Sequence, residues 1–147
     1  NIEIKSSPDG DGKYHHNVQE FSDLVYDLID QYLPMKRVVI QSFDFRVLKY
    51  WHKKYPDVRL AALVENIKSI DTNLANLGFK PAIYSPAHKL LSKKRIDNLH
   101  ARGIKVIPWT VNDTTTMQKL VEWKVDGLIT DFPNRAKAIG LTLEFNN

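Results

Sequence analysis

Short β-branched apolar runs alternate along this chain with longer segments whose apolar residues recur every three to four positions. Val38-Val39-Ile40 and Val106-Ile107 are brief and unbroken, as strands buried on both faces of a parallel sheet are. Leu60-Ala61-Ala62-Leu63-Val64 and Ala82-Ile83-Tyr84 read as two further strands, and Gly127-Leu128-Ile129-Thr130 as the one that closes the series. At the start, Ile2-Glu3-Ile4-Lys5 alternates strictly. A strand there puts Glu3 and Lys5 on one face and the two isoleucines on the other.

Between the strands the apolar period changes to that of a helix. Val18, Phe21, Leu24, Val25, Leu28, Ile29 and Tyr32 share helical spacing and predict a long first helix. Val47, Leu48 and Trp51 mark a second, with Asp44 as its N-cap. Ile70, Leu74 and Leu77 mark a third, ended by Gly78, and Ile96 and Leu99 a fourth between Ser92 and Gly103. Met117, Leu120 and Val121 mark a fifth after Asp113. Pro133 suits the first turn of a sixth, with Gly140 just past its end and Asp131 expected to cap its start.

Strands alternating with helices predict an α/β fold with a mostly parallel sheet of right-handed βαβ units. An open doubly wound sheet and part of an eight-stranded TIM barrel share this pattern. Two features favour the barrel. Asp9-Gly10-Asp11-Gly12 follows a strand but lacks the glycine spacing of a dinucleotide-binding turn. Polar residues also recur at the ends of several strands, where a barrel assembles its active site, rather than at one switch point. A complete barrel takes about 250 residues. Residues 1–147 are therefore expected to be one domain, the C-terminal five or six strands of a barrel whose opening strands are absent. The strand at Ile2 and the strand near Ile129 would then be open edges, and either association of chains through them, as in a homo-oligomer, or poor solubility is expected.

Composition narrows the function classes. At 43% hydrophobic and 26% charged the chain has enough apolar matter for one core, and no apolar run approaches the ~20 residues of a membrane span. The absence of cysteine excludes disulfides and thiolate metal sites. The formal charge of +4 is carried partly by Lys36-Arg37, Lys53-Lys54 and Lys93-Lys94-Arg95, which fall on helix faces or ends without interleaved aromatics. No nucleic-acid partner is expected. Compartment is left open.

Candidate chemistry concentrates at strand ends. Glu3-x-Lys5 presents a carboxylate and an ammonium together, a pairing able to hold a metal or a phosphate but equally an internal ion pair or two solvated edge charges. Trp109 ends the fifth strand and is either a pocket wall or a core residue. Of the five histidines, His52 and His100 fall in helices, His88 ends a strand, and His15-His16 lie in the loop after Glu3-x-Lys5, where either could overhang the site as a metal ligand or simply belong to a polar loop. No serine or cysteine nucleophile signature is present.

Taken together, Ile2-Glu3-Ile4-Lys5, Val39-Ile40-Gln41-Ser42-Phe43-Asp44, Gly103-Ile104-Lys105-Val106-Ile107-Pro108-Trp109-Thr110-Val111-Asn112 and Val125-Asp126-Gly127-Leu128-Ile129-Thr130-Asp131-Phe132-Pro133 resemble the glycerophosphodiester phosphodiesterase family, in order and in approximate spacing, from the first residue to about Arg135. The resemblance implies a TIM-barrel hydrolase of lipid and glycerol metabolism. Such an enzyme splits small-molecule glycerophosphodiesters into glycerol 3-phosphate and an alcohol, with a divalent cation, Mg²⁺ or Ca²⁺, and two acid–base histidines. It implies that Glu3 is a metal ligand, that Lys5 lies near the phosphate, that Trp109 lines the substrate mouth, and that Ser42 and Phe43 shape the site. The family's His-Arg-Gly opening, Glu-x-Asp metal pair and second histidine have no counterpart in these residues. The resemblance puts them upstream of Asn1, so no catalytic acid or base is expected in this chain, which would be inactive by itself. A phospholipase D-like barrel enzyme and a non-catalytic anion-binding module are the alternatives.

Overall fold

The computed structural model of the protein describes residues 1–141, so residues 142–147 of the expected domain lie outside the described residues. Five parallel strands make one sheet in chain order, namely β1 (Ile2–Glu3), β2 (Val39–Ser42), β3 (Arg59–Val64), β4 (Ile83–Pro86) and β5 (Lys105–Val106). Six α-helices connect or follow them: α1 (Val18–Tyr32), α2 (Phe45–Lys54), α3 (Ile70–Leu77), α4 (Lys93–Ala101), α5 (Thr114–Glu122) and α6 (Pro133–Ala138). Sequential order with every crossover through a helix is the pattern of successive βαβ units, as in a portion of a barrel wall.

Strand register decides which residues meet. Ile2 pairs with Ile40 and Glu3 with Gln41, while Ile40 pairs with Leu60 and Ser42 with Ala62. Aligned partners in a parallel sheet share a face. Ile4, Ile40, Leu60 and Ala62 accordingly bury against Val47, Leu48 and Trp51 of α2 and Val18 and Ile29 of α1. A second cluster joins Val64, Tyr84 and Val106 to Ile96 and Leu99 of α4, and a third joins Val111 to Met117 and Leu120 of α5. The helix ends follow local chemistry. Asp44, Ser92 and Asp113 each accept a backbone N–H of the first turn, and Gly78 closes α3 at φ +81°, a conformation that costs other residues strain.

Three expectations change. Gly127–Thr130 is not a strand, although Asp126 N donates to Val106 O and Ile129 N to Pro108 O, both at 2.9 Å. Pro108 has no N–H to return, and the two donors are three residues apart against two on the partner, so the ladder is bulged and breaks. Asp131 does not cap α6. Its carboxylate accepts from Asn112 Nδ2 at 2.9 Å, and Phe132 N turns instead to Thr130 Oγ1 at 3.0 Å. On α1 the apolar stripe is wider than the buried one, since Leu24, Leu28 and Tyr32 are exposed and only Val18, Ser22 and Ile29 are fully covered.

The α1–α2 contact is fastened by one carboxylate. Asp23 accepts from Tyr55 Oη and Lys54 Nζ at 2.7 Å each and from Tyr50 Oη at 2.9 Å. Burial pushes the Asp23 carboxyl up, but the bonds from Lys54, Tyr55 and Tyr50 outweigh it and hold it below the ordinary value. Burial and the adjacent carboxylate push the Tyr55 phenol up to about 12. A folded pKa below the unfolded one means Asp23 stabilises above the usual carboxylate range and ceases to as pH falls through its folded value. Asp23→Asn is expected to cost about 1 kcal/mol at neutral pH, solvent screening keeping the loss small. Denaturant unfolding at a series of pH values should show that gap closing on the acid side of the carboxylate range. A gap that persists there would show that the bonds, not the charge, carry the effect.

Candidate active site

The same alternation that buries Ile4 under α1 and α2 sends its neighbours the other way. Glu3, Lys5 and Phe43 turn toward a cavity of about 270 Å³ at the C-terminal ends of β1 and β2, which Ile4, Ser6 and Ser42 complete. Glu3 Oε2 and Lys5 Nζ stand 4.0 Å apart, with side chains 26% and 83% exposed. A pair at that distance and exposure neutralises neither charge firmly. The carboxylate is a hard oxygen donor and the ammonium a compact anion partner, and both open onto the cavity.

Ser42 shapes the cavity from behind. Its hydroxyl donates to Ile4 O at 2.7 Å and accepts from Asp44 N at 3.1 Å, which ties the ends of β1 and β2 together. Phe43, next along, stands half out of the surface and meets Trp109 edge-to-face, with ring centroids 5.2 Å apart at 90°. Trp109 is outside the three apolar clusters on the helix side. Its indole Nε1 donates to Ser85 O at 2.8 Å and its carbonyl accepts from His88 N at 2.9 Å, so the end of β4 holds it rigidly. Glu3, Lys5 and Phe43 therefore share one cavity, and Trp109 backs its aromatic wall.

The histidines lie elsewhere or are engaged. His15 Nε2 accepts from Ser7 N at 3.1 Å while Nδ1 lies 2.8 Å from His16 O, partners that assign the Nδ1–H tautomer and occupy the lone pair a metal would need. Gly10 makes room for that ring, because a Cβ there would sit 2.5 Å from Nε2. His16 is exposed beside Glu20 at 3.4 Å. His52 stacks on Phe79 at 4.0 Å between ring centroids, and His100 Nε2 meets Asp126 Oδ2 at 2.8 Å. Among the described residues no group of three His, Cys, Asp or Glu side chains could hold a metal ion. The loop carrying His15 is thus a polar structure folded on its own hydrogen bonds, with the His15 ring engaged inside it.

Sequence patterns passed over Ser6, Asp11 and Arg46, which border this site. Asp44 Oδ2 accepts from Ser6 Oγ at 2.9 Å and from Arg46 Nη2 at 2.6 Å, and Arg46 Nη1 reaches Asp11 Oδ2 at 2.7 Å. Burial pushes the Asp44 carboxyl up, but the bonds from Arg46 and Ser6 outweigh it and leave it below its ordinary value. The Arg46 bond likewise holds Asp11 down. One signal was available. An arginine in the first turn of α2, with no acid in that turn, opposes the helix dipole and calls for partners.

The family model for the glycerophosphoryl diester phosphodiesterase family matches residues 1–135. A glycerophosphodiester phosphodiesterase from Bacillus altitudinis is 29% identical over 143 residues, covering 95% of this chain and 54% of that protein. A phosphodiesterase from Oleispira antarctica, solved in complex with the product sn-glycerol-3-phosphate, superposes with a TM-score of 0.77 at 20% identity, over 94% of this chain and 53% of that one. The glycerophosphodiester phosphodiesterase of Thermotoga maritima superposes with a TM-score of 0.67 at 21% identity, over 96% and 56% of the two chains. The chain spans about half the length of the curated relatives it matches, and its five parallel strands stand in chain order, as in part of a barrel. With the match running from the charged end of β1 through Trp109 to the start of α6, this chain belongs to the glycerophosphoryl diester phosphodiesterase family.

Proposed function

We propose that these residues form part of the active site of an enzyme that hydrolyses glycerophosphodiesters to glycerol 3-phosphate and an alcohol. The carrying observation is that Glu3, Lys5 and Phe43 line one cavity, with Trp109 behind Phe43, in a chain of this family. The Oleispira relative was solved with sn-glycerol-3-phosphate, a ligand whose anionic phosphate and short carbon chain match an ammonium beside an aromatic wall.

In this reading Lys5 pairs with a non-bridging phosphate oxygen as a point charge. Phe43, with Trp109 edge-on against its ring, packs against the glycerol carbons and keeps water from that side. Glu3 offers one hard carboxylate oxygen to a divalent cation, Mg²⁺ or Ca²⁺, which fits the donor chemistry such ions prefer. A bound cation would act there as a Lewis acid on the phosphoryl group. Since these ions take six or more oxygens, the remaining ligands are assigned to substrate, water and residues outside this chain, as are the acid and base that transfer protons.

The complete protein is expected to release glycerol 3-phosphate from glycerophosphocholine in a coupled assay. Glu3→Gln should lower kcat/KM by about 100-fold or more and raise the cation concentration giving half-maximal rate by about tenfold. Lys5→Ala should act mainly on KM, by about tenfold. A Glu3→Gln enzyme with unchanged rate and cation dependence would remove the assignment.

We further propose that β1 and α1 form a joining surface. β1 has a neighbour on one side only among the described residues, and α1 beside it exposes Leu24, Leu28 and Tyr32 in one stripe. Further βα units of a barrel, or a second copy of the chain, would cover both. Residues 1–147 expressed alone should associate by light scattering, and Leu24→Lys with Leu28→Lys should shift them toward monomer. A monomeric parent would contradict this.

A further inference from the structure

We infer that Arg46 is a positioning residue for the candidate active site: by bridging Asp11 and Asp44 it pins the loop after β1 to the start of α2, and so sets the cavity wall made by Lys5 and Ser6. This inference rests on reading that cavity as the substrate site.

The guanidinium is used on two edges. Nη1 and Nη2 reach Asp11 Oδ2 and Oδ1 at 2.7 and 3.2 Å, while Nε and Nη2 reach Asp44 Oδ1 and Oδ2 at 3.0 and 2.6 Å. Two carboxylates gripped through adjacent forks is a geometry that a planar five-donor group satisfies and an ammonium does not. The partners come from different places. Asp44 caps the helix on which Arg46 sits, whereas Asp11 lies 35 residues away in the loop between β1 and α1.

Each grip leads back to the cavity. Asp44 also accepts the Ser6 hydroxyl at 2.9 Å, and Ser6 lines the cavity next to Lys5. Asp11 belongs to a loop folded on itself, in which Ser7 N donates to His15 Nε2 at 3.1 Å and Gly12 N to His15 O at 2.8 Å. Such a loop moves as a unit, and Arg46 is its bridge to the sheet end. Lys5, by contrast, is 83% exposed, and its only ion-pair contact among the described residues is Glu3 at 4.0 Å, so its placement depends on the backbone that carries it. Without the guanidinium, Asp11 and Asp44 face one another as like charges, and the loop is driven from α2.

The loss of order then falls on the wall made by Lys5 and Ser6, where the proposed site holds the phosphate, so it is expected in substrate binding. In the full-length protein, Arg46→Ala is expected to raise KM for glycerophosphocholine about tenfold with kcat within about threefold of wild type. Arg46→Lys keeps the charge but not both forks, and should leave KM raised at least about fivefold. Asp11→Asn should act in the same direction, and combining it with Arg46→Ala should add little, because both break one link. An unchanged KM in Arg46→Ala, or full rescue by lysine, would overturn the inference. If the wild-type protein does not turn over glycerophosphodiesters, the functional reading fails, and amide hydrogen exchange decides the link separately. Exchange at residues 7–16 accelerated about tenfold or more by Arg46→Ala would uphold it, and unchanged exchange would refute it.

Discussion

Parallel pairing of alternating strands is the constraint from which the site follows. Once Ile4, Ile40, Leu60 and Ala62 are drawn to the helix side by burial, the intervening residues have no choice of face. A one-residue slip of β1 would put Glu3 under α1 and expose Ile4, exchanging a buried aliphatic side chain for a desolvated charge. Register is therefore enforced by the core, and the core in turn delivers Glu3 and Lys5 to the strand-end cavity. The same rule acts at β4, where the hydrogen bonds of Ser85 and His88 to Trp109 bring the indole to the same end of the sheet as Phe43.

Two kinds of charge stand side by side at that end. Asp11, Asp44 and Arg46 satisfy one another with short, forked bonds, and Ser6 and the α2 backbone use the remaining acceptors. Among the described residues Glu3 and Lys5 have only each other, at the limit of an ion pair. A satisfied network gives rigidity, and a loosely paired carboxylate and ammonium keep their capacity for an external ion. The contrast supports assigning ligand contact to Glu3 and Lys5 and placement to Arg46.

Much of this was legible from periodicity. The helix starts at Asp44, Ser92 and Asp113 and the stop at Gly78 were readable because each depends on a side chain and backbone a few residues apart. The alternation of Ile2 to Lys5 foretold the facing of Glu3. What escaped the sequence depended on distant partners. Pro108 spoils the ladder that Gly127–Thr130 would have joined, and Asn112 takes the carboxylate of Asp131 from the helix it was expected to cap. The fate of Leu24, Leu28 and Tyr32 was beyond a helical period, which marks an apolar stripe but not how much of it this chain covers. The Asp11–Arg46 link spans 35 residues and leaves no local pattern beyond a cation misplaced against a helix dipole.

The most direct measurement is a crystal structure of the complete protein grown with Ca²⁺ and sn-glycerol 3-phosphate. The expected result is a cation bound by a Glu3 carboxylate oxygen at about 2.3–2.6 Å, with the phosphate in hydrogen-bonding reach of Lys5 and the glycerol carbons against Phe43. A cation and phosphate bound together elsewhere, with Glu3 and Lys5 facing only water, would contradict the assignment of this cavity.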